Sequence, residues 1–230
     1  YLAALDDNNQ TSVALHNYFG RSNTLKAVAT LPFSSKRKLS AVTFNEIGTI
    51  AVGAPEFVLG TVPVKVAKLV NDYAAAGMRV LIVALSPGRL NGEKLPSGFK
   101  PLAVISISDN IRDDAIQTIR WFKENDVEVK IISGDNPVTV SEVAKRVGVA
   151  NADKYISLEG FNEKEVAAVA NKYTVFGRVT PEQKAILVKS IKSDGNTVAM
   201  TGDGVNDILA LKEADCAVTV MSGSEAAKNV

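Results

Sequence analysis

Three short stretches hold residue types that could do chemistry. In TGDGVND (201–207), Asp203 and Asp207 stand four residues apart among Gly202, Gly204 and Asn206, directly after an apolar run. In SGDN (133–136), the hydroxyl of Ser133 precedes Gly134 and Asp135, again after an apolar run. In RVTPEQK (178–184), Arg178 and Lys184 bracket a Thr-Pro helix start. Together these groups suit phosphoryl transfer. Carboxylates that would repel one another can hold a hard cation such as Mg²⁺. An ammonium neutralises charge on the transferring group, and N–H and O–H donors beside glycines take its oxygens. Each piece alone has a plainer reading: GDG is commonly a turn, Lys184 a solvated helix charge, and Ser133 or Asp135 a helix cap. The functional reading rests on their coincidence at three strand ends.

The elements that must position these residues alternate. PLAVISIS (101–108) reads as a buried strand, 113–125 as a helix with Ile116, Ile119 and Phe122 on one face, and 127–132 as a strand. Residues 136–148 form a helix that Asn136 caps, Pro137 starts and Gly148 closes. Residues 173–177 are a strand, and Thr180 with Gln183 make a capping box at the head of a helix over 180–195. Strands at 196–200 and 216–220 flank a helix near 206–213. Such alternation predicts an α/β fold with a parallel sheet covered on both faces, whose ligands bind at the carboxyl ends of the strands. The N-terminal half differs. A hairpin over 38–44 and 48–55 turns at NEIG, a helix over 62–77 stops at Gly77, a strand follows over 78–85, and 86–98 is a polar loop. This half reads as a separate α+β module, with the boundary near Asp109.

Composition narrows the function classes. Twenty-six basic residues nearly cancel 25 acidic ones, and a net charge of +1 offers nucleic acid no electrostatic footprint. One cysteine, Cys216, excludes an internal disulfide and suits a reducing compartment. It is expected as a small buried apolar residue, with His16 on the surface and Trp121 as a packing residue. The apolar runs fall short of the roughly 20 residues that span a bilayer, so the chain is expected to be soluble as given.

TGDGVND, SGDN and RVTPEQK together resemble the P-type (E1–E2) cation-transporting ATPases, within the haloacid-dehalogenase-like superfamily. The resemblance covers essentially the whole chain. SDNIRDD (108–114) is similar to the hinge of that family, LPFSSKRKLSAV (31–42) and GAPE (53–56) to its nucleotide-binding domain, and GMRVLIVAL (77–85) to that domain's last strand. The resemblance implies a nucleotide-binding domain over 1–108, with an antiparallel sheet, and a Rossmann-like phosphorylation domain over 109–230. It implies ATP and Mg²⁺ as ligands, a transported cation, and the pump's own transmembrane and actuator domains as partners. The expected location is the cytoplasmic face of a membrane, a bacterial plasma membrane of the calcium-like branch. By position, Asp203 would ligate Mg²⁺ and Asp207 would share in the metal site while holding Lys184. Lys184 would contact the phosphoryl group, and Ser133 and Gly134 would bind its oxygens. Asp135, Arg178, Asn206 and Arg112 would support nucleotide and phosphate. Phe33 would stack on adenine, with Lys38, Gly53, Ala54 and Arg79 completing the pocket.

The chain departs from the family pattern in three places. Val52 stands where many relatives have lysine before GAPE. Ser133 replaces a frequent threonine and keeps the hydroxyl. No DKTGT segment with the family's nucleophile aspartate is present, and ALDDNNQ (4–10) is no substitute. The nucleophile is expected to precede Tyr1, leaving a gap in the sheet or a replacement strand. Two rival readings are a soluble haloacid-dehalogenase-type phosphatase with a cap domain, which requires a nucleophile within the chain, and a non-catalytic nucleotide-binding module.

Overall fold

A computed structural model describes residues 1–5, 9–20, 22, 24–108, 110–220 and 224–229. Asp109, at the expected boundary, and residues 6–8 of ALDDNNQ lie outside the described residues. The chain divides into two compact units, Tyr1–Tyr73 with Val80–Ile107 and Ala74–Arg79 with Ser108–Val230.

The first unit contains α1 (Gln10–Phe19), β1 (Ala27–Leu31), β2 (Leu39–Phe44), β3 (Gly48–Gly53), α2 (Pro55–Leu59), most of α3 (Val64–Ala75) and of β4 (Arg79–Ser86), and β5 (Lys100–Ile107). The strands lie in the order β1-β2-β3-β4-β5, and the first four are antiparallel neighbours. The expected hairpin is β2–β3, registered from Phe44 opposite Gly48 to Leu39 opposite Gly53. Its turn needs Gly48, which has φ +92° and where a Cβ would lie 2.3 Å from the Ser86 carbonyl oxygen. Leu31, Leu39, Ala41, Ala51, Val58, Ile82 and Ala84 form the core. Further along the same face, the hydroxyls of Thr43 and Thr49 meet at 2.8 Å. Thr49 donates to the Gly88 carbonyl, Leu90 N–H donates to Thr43, and Ser86 donates to the Ser97 carbonyl. The polar loop after β4 is thereby fastened to the sheet by buried hydroxyls. β5 differs from expectation: it is an edge strand, largely exposed, with Leu102 58% exposed. Its apolar run resembles that of a central strand, but position at the edge leaves half of it without cover, and Val104 is the β5 residue that packs on the core.

The second unit contains α4 (Ala115–Glu124), β6 (Ile131–Ile132), α5 (Pro137–Arg146), β7 (Tyr155–Ser157), α6 (Glu163–Val169), β8 (Val175–Gly177), α7 (Pro181–Ser193), β9 (Ala199–Gly202), a 3-10 turn (Val205–Asp207), α8 (Ile208–Glu213), β10 (Cys216–Thr219) and α9 (Glu225–Lys228). Its strand pairs are parallel, as the alternation predicts, but they form two sheets, β6-β8-β7 and β10-β9. Among the described residues no strand joins them, so of the two expected outcomes the sheet shows the gap. Helix α7 bridges the two pieces. Its Leu187 packs with Leu158, Val166 and Phe176, and its Val188 packs with Met200, Ala210 and Leu211. Cys216 is exposed, contrary to its expected burial, because β10 pairs with β9 alone and three of its four residues stay exposed.

Candidate phosphoryl-transfer site

The site in the second unit is built from three strand-to-helix junctions. After β9, the chain bends through Gly202, Asp203 and Gly204 into the 3-10 turn, which ends at Asp207. Asp207 is buried, and one carboxylate oxygen accepts from Lys184 Nζ at 2.6 Å while the other accepts from the Gly204 N–H at 3.1 Å. Gly202 makes room for this: a Cβ there would lie 2.5 Å from Asp207 Cβ. The Lys184 and Asp207 side chains are 14% and 9% exposed, so the pair is shielded from water. Lys184 is positioned because α7 starts sharply. The Thr180 hydroxyl accepts from Gln183 N–H, and the Gln183 side chain accepts from Thr180 N–H. Gln183 then spends its amide on the carbonyls of Leu158 and Phe161, anchoring the helix start to the strand layer.

After β6, Ser133 Oγ accepts from Asp135 N–H at 3.1 Å, and Asn136 caps α5 by accepting from Val138 N–H. The junction after β8 lies against this loop: Val179 N–H donates to the Ser133 carbonyl and Arg178 N–H to the Asp135 carbonyl. Gly177 permits the close approach, since a Cβ there would stand 2.5 Å from Pro137 N. Arg178 is buried, and its guanidinium donates to the Gly134 carbonyl. Asp203 and Asn206 are exposed at the end of β9, and the Asp203 carbonyl accepts from Ser224 N–H at the head of α9.

Other expected site residues are placed as follows. Arg79 groups with the second unit and pairs with Asp135 at 2.7 Å. Nearby, the Met78 carbonyl accepts from Thr139, and the Ala76 carbonyl from Arg146. Arg112 is exposed and bonds both oxygens of Asp114, at 2.9 and 2.8 Å. That contact raises the Arg112 pKa and lowers that of Asp114. In the first unit, Phe33 is 45% exposed at the entry to the turn that Lys38 closes, with Lys38 N–H donating to the Ser34 carbonyl. Lys38 has φ +55°, and its carbonyl accepts from Ala54 N–H. A Cβ at Gly53 would lie 2.4 Å from the Lys38 carbonyl oxygen, so glycine is what lets the turn sit on the end of β3. Val52 is buried opposite Ser40.

Residues 6–215 match the family described as haloacid dehalogenase-like hydrolase. The chain belongs to that family. Among curated relatives, a probable cation-transporting ATPase, exp7, of Streptococcus pneumoniae is 40% identical over the full chain. The calcium-transporting ATPase CtpE of Mycobacterium tuberculosis is 38% identical, again over the full chain. A P-type magnesium-transporting ATPase of Salmonella typhimurium is 32% identical over 69% of the chain and 18% of its own length. The chain spans 29% of the length of the first two relatives.

This haloacid dehalogenase-like unit offers a metal one exposed carboxylate, Asp203. The oxygens of Asp207 already accept from Lys184 and Gly204, and among the described residues no group of three or more acidic, His or Cys side chains could hold an ion. That donor set fits Mg²⁺, which keeps several waters and binds through one or two carboxylates plus substrate phosphates, and does not fit a dedicated protein cage. Sequence reasoning did not single out the N–H of Val179 or Asp114. Neither carries a signal, because a backbone donor is independent of side-chain type and an i,i+2 pair follows no helix or strand rule.

Proposed function

We propose that the chain is the nucleotide-binding and phosphorylation region of a cation-transporting P-type ATPase, lying on the cytoplasmic face of a membrane. The observation that carries the reading is the shielded Lys184–Asp207 pair at the end of β9. A lysine held in this way cannot swing into solvent. Its remaining two N–H bonds serve a phosphoryl group, whose developing charge they neutralise. Ser133 and the N–H groups around Gly134 take phosphoryl oxygens, and Asp203 supplies the carboxylate for Mg²⁺. When bound, that ion screens charge between carboxylate and phosphate. Asp135, Arg112 and Asn206 support nucleotide and phosphate at this end. On the first unit, Phe33 stacks on adenine, with Lys38 and the Gly53–Ala54 backbone beside it, an aromatic face plus a cation that suits a purine triphosphate. Arg79 completes the phosphate contacts. The phosphate acceptor is an aspartate of the intact pump outside these 230 residues. The relatives that match the whole chain are named as cation-transporting ATPases, which supports the same reading. Among the described residues no helix is long and apolar enough to cross a membrane.

The test is phosphoenzyme formation from radiolabelled ATP by the full-length protein carrying Lys184→Met. The expected result is near-complete loss. Near-normal phosphoenzyme refutes the role of Lys184. Metal-dependent turnover of p-nitrophenyl phosphate by the 230-residue chain alone would favour the soluble phosphatase instead.

A further inference from the structure

Arg178 holds a backbone conformation rare for a residue with a side chain. Its φ is +55°, in the left-handed region, and it is buried at 8% exposure. A strained, buried arginine at a strand end needs a compensating role. The hydrogen bonds around it provide one. The three consecutive carbonyls of Ser133, Gly134 and Asp135 are all taken from the 178–179 segment. Val179 N–H donates to the first at 3.0 Å, Arg178 Nη1 to the second at 3.3 Å and Arg178 N–H to the third at 2.9 Å. In a trans peptide the N–H lies opposite the preceding carbonyl, so fixing these three carbonyls turns the N–H groups of Gly134, Asp135 and Asn136 away from the strap, that of Asp135 onto Ser133 Oγ. A loop left to itself would present carbonyl oxygens as readily as N–H groups, and carbonyl oxygens repel phosphate.

We propose that Arg178 is a positioning residue. Its left-handed backbone and its guanidinium together strap the 133–135 loop in the orientation that offers donors to an anion. This rests on the reading of that loop as a phosphoryl site. It assigns Arg178 a primary partner other than the nucleotide. The left-handed turn aims two successive N–H groups, those of 178 and 179, at one loop, and the guanidinium reaches the carbonyl between them.

The experiment is amide NMR on the 230-residue chain, with inorganic phosphate and, separately, a non-hydrolysable ATP analogue as titrants. Wild type is compared with Arg178→Gly, which keeps the backbone turn and loses the guanidinium, and Arg178→Ala, which loses the guanidinium and is strained in the turn. The phosphate response at Gly134 and Asp135 is expected to weaken about three- to tenfold in Arg178→Gly, the scale of one lost hydrogen bond, and further in Arg178→Ala. Hydrogen-exchange protection at residues 178 and 179 should be kept in Arg178→Gly and reduced in Arg178→Ala. The analogue's affinity at the amides around Phe33 should stay within twofold. The proposal is overturned if analogue affinity falls while phosphate response and protection hold, or if the two variants behave as wild type. If wild type itself shows no phosphate response at the loop, the phosphoryl reading fails, and the protection data still decide the strap. If Arg178→Ala does not fold, Arg178→Gly alone decides, through the balance between phosphate and analogue.

Discussion

Replacing Asp207 by alanine removes a carboxylate that two donors share. Lys184 Nζ sits 2.6 Å away and keeps 14% of its side chain exposed, so water cannot fully replace the lost partner. At an effective dielectric constant of about 20, unit charges at that separation attract by roughly 6 kcal/mol, most of it offset by the desolvation of both groups. Removing one partner of such a pair costs about 3–5 kcal/mol, because the other charge stays buried. The Gly204 N–H loses its acceptor as well, adding about 1 kcal/mol. With a urea m-value of about 2–3 kcal/mol/M, the midpoint should fall by roughly 1–3 M. The chain has a single tryptophan, Trp121, and it lies on α4 in the same unit, so its fluorescence reads the relevant transition. The double variant Lys184→Met/Asp207→Ala removes both charges and should be destabilised by less than the sum of its two single changes, giving a coupling of about 2 kcal/mol between the two positions. Additivity of the single changes within about 0.5 kcal/mol would show that the two charges do not depend on each other, and the reasoning would fail.

Three further outcomes follow from the geometry. Gly177→Ala places a Cβ 2.5 Å from Pro137 N, so it should destabilise the second unit by about 1–3 kcal/mol in the same urea assay; an unchanged midpoint would mean that β8 and α5 are not in close contact. The pKa of Asp215 is lowered, first by the Val198 N–H and then by Lys192. Its stabilising contribution is therefore present above the ordinary aspartate pKa and disappears as pH falls through the lower folded value. The stability gap between wild type and Asp215→Ala should close below about pH 4, and a constant gap would contradict the linkage. Phe33→Ala should weaken binding of an ATP analogue about tenfold by calorimetry, on the scale of one lost base–aromatic stack, and unchanged affinity would remove Phe33 from the nucleotide site.

The sequence alone determined the local features. The Thr180–Gln183 capping box, the Asn136 cap, the β2–β3 hairpin and the βα alternation all follow from side-chain chemistry within a few residues, and the structure carries each of them. The motifs at 201–207 and 178–184 also marked Asp207 and Lys184 for the same crevice, because strand ends in a parallel α/β layer converge. Short elements such as β7 and α6 escaped notice, since three and seven residues give too little periodicity to read. Tertiary structure decided what depends on neighbours distant in the chain. The apolar run at 100–107 is compatible with either a central or an edge strand, and sheet order made it an edge. Cys216 is apolar enough to bury, but burial requires a covering layer that β10 lacks. Arg178 is a cation by sequence and became a clasp on the Ser133 loop through a backbone angle that no residue type encodes. Side-chain identity specifies which bonds a group could make, and the fold selects among them by placing donors and acceptors within reach.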